Sequence, residues 1–497
     1  MRKRRDITHH GRTTRNVILT VSATLLLTAF ALTQDSETVP HTFTGGSDGA
    51  VGGPQLVSDS AGSLYGSTFS GGNNSTSCEV YTGVPGCGVV FKLTPGAHGS
   101  WKETVLYSFT GGKDGGIPVG GVILDSAGNL YGTTYFGGDE KSANCRLENV
   151  PGCGVVFKLT PRADGLPWKE TVLHTFTGGA DGRLPWAGLT FDQAGNLYGT
   201  ATRGGDTHCK GRTPFGCGVA FKLTPAAEGP WTESVIYTFE TTGRGGYLPY
   251  GGLTFDSEGD LYGTAYLGGD NSVSCFGDPG CGVVYELTPR AHGPWKETVL
   301  HAFTGGSDGS IPLFYVILDS RGDVYGTTIY GGDATAKNCL GGYGFGGPAG
   351  CGVVFKLTPG AHGYWKETVL YSFTGGSDGA FSGDPVVFDR AGNLYGMTGS
   401  GGDLAAPCTF GTENNAGCGV VFKLKPARKG PWTENVLYAF TGAADGSGPE
   451  SNLLLDSDGN VFGITEAGGN TSECTGNFSG AGCGVVFKID RAHNERN

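Results

Sequence analysis

Eleven aspartates recur at matching places along this 497-residue chain, and carboxylates in such numbers are what proteins use to hold calcium or to cleave glycosidic bonds. Asp48, Asp114, Asp181, Asp308, Asp378 and Asp445 close "TGGxDG"-like segments, with Arg244 breaking the series in "TTGRGGY". Asp139, Asp206, Asp270, Asp333 and Asp403 open a second set of variable segments. As oxygen donors they make calcium the candidate cofactor. Asp also caps Gly-rich turns, and a residue present in every repeat more often serves the repeat, so the turn-cap reading takes precedence.

Residues that break the repetition are more telling, because a site for one ligand must differ from its copies. Just before one strand-like piece most copies carry small residues, as in "VGGPQL". Three consecutive copies carry aromatics instead: Trp186; Tyr247 and Tyr250; Phe314 and Tyr315. Aromatic faces beside acceptors such as Asp181 and Asp308 can stack on sugar rings while carboxylates bond the hydroxyls; the competing reading is that the rings fill gaps between packed units. The unrepeated acids Glu240, Asp384, Glu450 and Glu466 are the carboxylates from which a catalytic pair would be drawn. No nucleophile elbow, zinc-protease helix, phosphate loop or dinucleotide fingerprint accompanies them. Histidines 41, 174 and 301 share one strand position and 98, 292 and 362 one turn, which marks them as scaffold.

The fourteen cysteines fall as one pair per repeat: Cys78 and Cys87, Cys145 and Cys153, Cys209 and Cys217, Cys275 and Cys281, Cys339 and Cys351, Cys408 and Cys418, Cys474 and Cys483. Ahead of them stands a basic opening, an apolar run from Val17 to Leu32 and an Ala-Phe-Ala site at 29–31, the layout of a signal peptide over residues 1–31. An exported chain with evenly spaced pairs predicts seven local disulfides rather than zinc, since only His208 adjoins a cysteine. Residues 1–31 carry six Lys/Arg and one Asp, so the net charge moves from −12 for the whole chain to −17 without them. Such a chain repels nucleic acid and anionic lipid. No later segment is long and apolar enough to span a membrane, and a secreted or envelope-bound monomer is expected.

These residues must be positioned by a repeat. "DSAGNLYGTT" and its variants begin at Asp59, Asp125, Asp192, Asp256, Asp319, Asp389 and Asp456, 63 to 70 residues apart. Each period holds four short runs rich in Val, Leu, Thr and aromatics, such as "GGVILD", "NLYGTTYF", "GCGVVFKLTP" and "WKETVLHTFTGG". Seven four-stranded antiparallel units predict an all-β, seven-bladed β-propeller over residues 36–490, followed by a short tail, 491–497. The chain begins with a fourth-strand segment, "SETVPHTFTGG", and ends on a third-strand segment, "GCGVVFKID", so the N-terminal strand is expected to complete the last blade. A hairpin centred in "KLTPGAHGSWKE" predicts Lys92 opposite Glu103, the same pairing in four further copies, Lys488 opposite Glu37, and an unfavourable Glu286 opposite Glu297.

The units "GCGVVFKLTP", "WKETVLYSFTGG" and "DSAGNLYGTT" resemble the bacterial GloVer tandem repeat over about residues 36–490. The resemblance implies an exported protein of undefined biochemical role, often carrying a C-terminal surface anchor; this sequence departs there, ending in "FKIDRAHNERN". The "GLTFD…GNLYGT" hairpin is also similar to the inner hairpin of other propellers, lyases and sensor domains among them, which speaks only to fold. The expected role is therefore non-catalytic binding of extracellular carbohydrate or a surface protein, the alternative a polysaccharide lyase or glycoside hydrolase with acids at the channel mouth, and a third reading a structural envelope protein.

Overall fold

The computed structural model describes residues 36–491 apart from 74, 76–77, 79–82, 140, 148–149, 164–166, 206–208, 210–214, 228, 242–243, 340–347, 411–412, 415–416, 471, 473 and 475–480. The export segment, Asp206, His208 and all of the tail but Arg491 lie outside the described residues. Those described form strands and short turns, with no α-helix among them, arranged as a seven-bladed β-propeller.

The second blade shows how the sequence dictates the unit. Its strands, Val122–Leu124, Leu130–Thr134, Val155–Thr160 and Lys169–Thr175, pair antiparallel in chain order from the channel outward. The "DSAGN" turn is locked by Asp125, whose Oδ1 accepts the backbone N–H groups of Ala127 and Asn129 at 2.9 and 2.8 Å. Its Oδ2 accepts Asn129 Nδ2 and the Tyr131 hydroxyl at 2.7 and 3.1 Å. In "LYGTT", Gly132 lies beneath Phe157, where a Cβ would come within 2.6 Å of the ring. The motif recurs because each blade needs this hairpin and this clearance.

Every blade interface contains one fully buried ring pair of the same kind. A phenylalanine ending each outer strand packs edge-on against a third-strand ring of the next blade: Phe109 on Phe157, Phe176 on Phe221, Phe239 on Tyr285, Phe303 on Phe355, Phe373 on Phe422, Phe440 on Phe487 and Phe43 on Phe91, with centroids 5.0 to 5.3 Å apart. Each such geometry contributes about 0.5–1.5 kcal/mol beyond area burial. The Phe43 pair exists because Glu37–Thr42 docks on Val485–Ile489 as the fourth strand of the last blade, closing the ring.

The lysine–glutamate pairing differs from expectation by one residue. Lys92 faces Thr104 and Glu103 faces Leu93, because the turn is centred on His98, held at φ 59°, and not between Ala97 and His98. In the closing strand Thr38 faces Lys488, and in the fourth blade Thr298 faces Glu286. Alternation sends lysine and glutamate to opposite faces of the blade. Lys92 lies over the Tyr65 ring, 3.6 Å from Asp59. The glutamates turn toward the preceding blade, where Oε1 of Glu37, Glu103, Glu170, Glu233, Glu367 and Glu434 lacks a hydrogen-bond partner. Glu297 instead accepts the Tyr237 hydroxyl at 2.9 Å and the Gly246 N–H at 3.2 Å, so the Glu286–Glu297 conflict does not arise.

Burial, with a neighbouring aspartate adding to it, pushes Glu37, Glu103, Glu170 and Glu434 up to about 7. A carboxyl raised in the folded state favours folding fully below its unfolded value, and the contribution is lost as pH rises through the folded value. Asp48, Asp181 and Asp308 are held below the usual carboxylate range and stay ionised throughout that window. The thermal midpoint should therefore fall between pH 5 and pH 8, and Glu103→Gln with Glu170→Gln should flatten the decline; a midpoint that rises over this range would contradict the assignment.

Candidate functional site at the channel mouth

The chain enters each inner strand through a residue in the left-handed region: Val51, Ile117, Leu184, Leu248, Ile311 and Phe381, with φ from 55° to 62°, and Gly448. The N–H of each donates to the carbonyl of the second cysteine of the preceding blade, at 2.8 to 3.0 Å in all seven cases. All seven predicted disulfides are formed. A further stitch runs from the second strand: the hydroxyls of Ser67, Thr133, Thr200, Thr264 and Thr327 donate to the carbonyls of Pro118, Ala187, Gly251, Phe314 and Asp384 at 2.6 to 3.1 Å. Between these bonds lie the residues that differ from blade to blade, presented to the channel mouth.

Trp186, Tyr250, Phe314 and Tyr315 lie there, each half-buried. Trp186 stands edge-on to Tyr135 of the second blade at 5.1 Å and to Tyr250 of the fourth at 5.7 Å. The contacts continue from Tyr250 to Tyr266, Phe276, Tyr330 and Phe381 at 5.4 to 6.4 Å, making one arc from the second blade to the sixth. Phe314 lines a cleft of about 140 Å³ at the end of the arc with Tyr330, Phe381, Asp384 and Glu450. Tyr315 reaches inward beside Asn452 and Asp384, and burial raises its phenol.

Three expected site residues stand elsewhere. Tyr247 is 4% exposed inside the fourth blade, its strand position paired with Leu267 and its hydroxyl bonded to Pro279 O, so it is core and not mouth. Asp181 receives the N–H and Oγ1 of Thr177 at 2.8 and 2.6 Å, with His174 Nε2 at 3.5 Å; Asp308 has the same arrangement with Thr304 and His301. Burial alone would raise these carboxyls, but the bonds from His and Thr bring them below the usual range. They hold their own loops through these bonds. The second aspartate set behaves likewise: Asp139, Asp270, Asp333 and Asp403 each accept the N–H two residues on. Among the described residues no cluster of three or more His, Cys, Asp or Glu is disposed to hold a metal ion.

The unrepeated acids do converge. Asp384 of the sixth blade, 2% exposed, and Glu450 of the seventh are both pushed well above the usual carboxylate range, first by burial and then by the charge of Glu466. Asp384 Oδ1 has no hydrogen-bond partner. Glu240 belongs to the interface between the third and fourth blades, near Tyr237 and Glu297, and takes no part. Hollows of about 440 and 510 Å³ on the opposite face are lined by residues of the "DSAGN"-type turns and Arg491, and none of the unrepeated acids or aromatics reaches them.

Sequence reasoning missed Tyr135, Tyr266, Phe276 and a pair of arginines, Arg183 and Arg203, bridged backbone to backbone on the third blade. The signal was present: where Arg183 stands the other copies have Ala50, Gly116, Tyr247, Ser310, Ala380 and Ser447. The search for broken symmetry stopped at the start of the inner strand and did not extend three residues back or to the end of the second strand.

The profile of the Gloeobacter/Verrucomicrobia repeat matches residues 76–341. No curated protein matches the chain. Among solved structures, an enzyme of Carbohydrate-Active Enzymes Family AA12 from Trichoderma reesei is similar at 12% identity and TM-score 0.40, covering 93% of this chain and 96% of its own. The PQQ-bound aldose sugar dehydrogenase of Streptomyces coelicolor stands at 9% and 0.36, covering 74% and 92%. A gluconolactonase of Xanthomonas campestris stands at 14% and 0.31, covering 62% and 74%. At these scores nothing of their chemistry carries over to this chain.

The acid cluster makes its own prediction. Ionising Asp384 inside the fold opposes stability above its unfolded value, so Asp384→Asn should raise the thermal midpoint more at pH 8 than at pH 5. An equal effect at both values would mean that the carboxyl titrates normally.

Proposed function

This chain belongs to the Gloeobacter/Verrucomicrobia repeat family, and from that premise we propose that it is an exported binding module whose ligand, an extracellular saccharide, docks across the channel mouth. The observation that carries this reading is the aromatic arc from Tyr135 through Trp186 and Tyr250 to Phe381. Half-buried rings in series, flanked by polar groups at either end, match the apolar faces and equatorial hydroxyls of successive sugar rings. Seven disulfides accord with an oxidising compartment, and residues 1–31 serve as the export signal in this reading. The module acts as a monomer comprising residues 36–490. Because the loop aspartates cap their own turns, binding needs no calcium.

A glycan-array screen of the oxidised chain tests this. Selective binding should be retained in EGTA and weakened by about tenfold or more when Trp186 or Tyr250 is replaced by Ala, as for buried aromatic anchors generally. Tyr315→Ala completes the set. Undiminished binding by the triple variant would remove the arc from the site, and capture of a protein ligand alone would favour the surface-partner reading.

One observation favours a second reading, saccharide cleavage: two unrepeated carboxyls, Asp384 and Glu450, line the cleft within electrostatic reach of a third, Glu466, and both are pushed well above the usual carboxylate range. A protonated carboxyl near neutrality is what a general acid requires. In hydrolysis Asp384 or Glu450 would give its proton to the departing glycosidic oxygen while Glu466 took one from the attacking water, yielding two free sugars. On this reading Glu450→Gln abolishes release of reducing ends and leaves affinity intact.

A further inference from the structure

Arg183 is 1% exposed, yet its guanidinium is only partly satisfied. Nη1 donates to Asn144 O at 2.7 Å and the group lies 4.8 Å over the Phe215 ring, which ties the cysteine loop of the second blade to the third. Nε and Nη2 have no hydrogen-bond partner, and neither has the buried Nη1 of half-buried Arg203. Among the described residues no carboxylate pairs with either group. Arg183 instead senses Tyr135 and Arg203, and burial together with the second cation pulls its guanidinium below the ordinary value.

Buried charges are paired in stable proteins, and leaving one unpaired is strongly destabilising. Two adjacent guanidinium groups with no acid beside them among the described residues are the more unusual in a chain of net charge −12, which has carboxylates in excess. Both lie within electrostatic reach of the Tyr135 phenol, itself edge-on to Trp186. A planar anion carried on a ring that stacks on an aromatic face fits the donors left over among the described residues.

We infer that Arg203 and Arg183 form a carboxylate subsite at the second- and third-blade end of the arc, selecting saccharides built of uronic acids. This rests on the saccharide reading above and narrows its ligand class. Arg203, half-buried, meets the carboxylate first; Arg183 behind it adds charge and an orphaned N–H. Trp186 takes the face of the same sugar ring.

Isothermal titration of the full oxidised chain with a galacturonate trimer and with its fully methyl-esterified form separates the two claims. The acid should bind about tenfold or more tighter than the ester. Arg203→Gln should abolish that preference without changing affinity for the ester, and Arg203→Lys should restore it only in part, since a point charge lacks the fork. Trp186→Ala should weaken both ligands alike. Arg183→Gln is judged only if its thermal midpoint matches the parent chain, and Arg203→Gln decides the matter otherwise. Equal affinity for acid and ester in the parent chain overturns the carboxylate subsite and leaves saccharide binding standing. An acid preference that survives Arg203→Gln and a folded Arg183→Gln also overturns it. Failure of both ligands and of the neutral glycans on the array overturns both readings.

Discussion

Everything at the channel mouth depends on one hydrogen bond made seven times, from the N–H of a left-handed residue to the carbonyl of a disulfide-bonded cysteine in the blade before. Six of the seven donors carry a side chain, and Val51, Ile117 and Ile311 are β-branched, so each holds a conformation that costs roughly 1–2 kcal/mol. The strain is sustained because the bond has nowhere else to go: the cysteine is fixed by its bridge, and the next residue must turn sharply into the inner strand. The same bond thus sets the angle between blades and the direction in which the following three side chains point. A variable cysteine loop and a variable mouth are joined by an invariant hinge of backbone.

Seven identical seams would make a featureless ring. Asymmetry enters only where the seam tolerates it, at the residues flanking the left-handed one and at the end of the second strand. There the chain accepts groups that oppose folding: two guanidinium groups with unbonded N–H groups on one side, and carboxyls forced to keep their protons on the other. Such choices are affordable on a frame whose interfaces each bury an aromatic pair and whose loops are each closed by a bridge contributing about 2–3 kcal/mol in the chain-entropy picture. Stability is concentrated where the repeat copies itself, and the unrepeated groups gather where it does not.

The fold was legible in the sequence because repetition averages out local ambiguity. The Asp of "DSAGN", the cysteine pairs and the permuted ends carried the blade count, the bridges and the closure, and the structure bears each out. What misled was parity. The third-to-outer hairpin turns on a single residue, His98, and counting from the sequence cannot tell a turn centred on a residue from one centred on a bond. Tyr247 misled for a related reason: it lies three residues before Tyr250, beside the left-handed Leu248, so the backbone reversal that brings Tyr250 to the mouth sends Tyr247 into the blade. Asp181 and Asp308 were legible as caps, since a Thr four residues earlier stands in every copy of that loop in which the Asp is kept. The arginines could not be recognised as unpaired, because sequence does not reveal which acids stand near.

The arginine pair and the acid cluster belong to the third blade and to the sixth and seventh, three or four places apart in a ring of seven, so they face each other across the channel rather than touch. With a screening length of about 8 Å at physiological ionic strength, groups held on opposite sides of the mouth interact poorly. Each therefore keeps its own demand for a partner, and the aromatic arc supplies an uncharged path between them. A chain lying on that path meets cations at one end and protonated carboxyls at the other, which makes its two directions inequivalent. Orientation would then follow from the field before any single contact forms, and a ligand with an acid at each ring would be drawn toward the arginines while presenting its glycosidic oxygens to the groups able to donate a proton. The symmetric frame gives the mouth its shape; the unrepeated arginines and acids give it a direction.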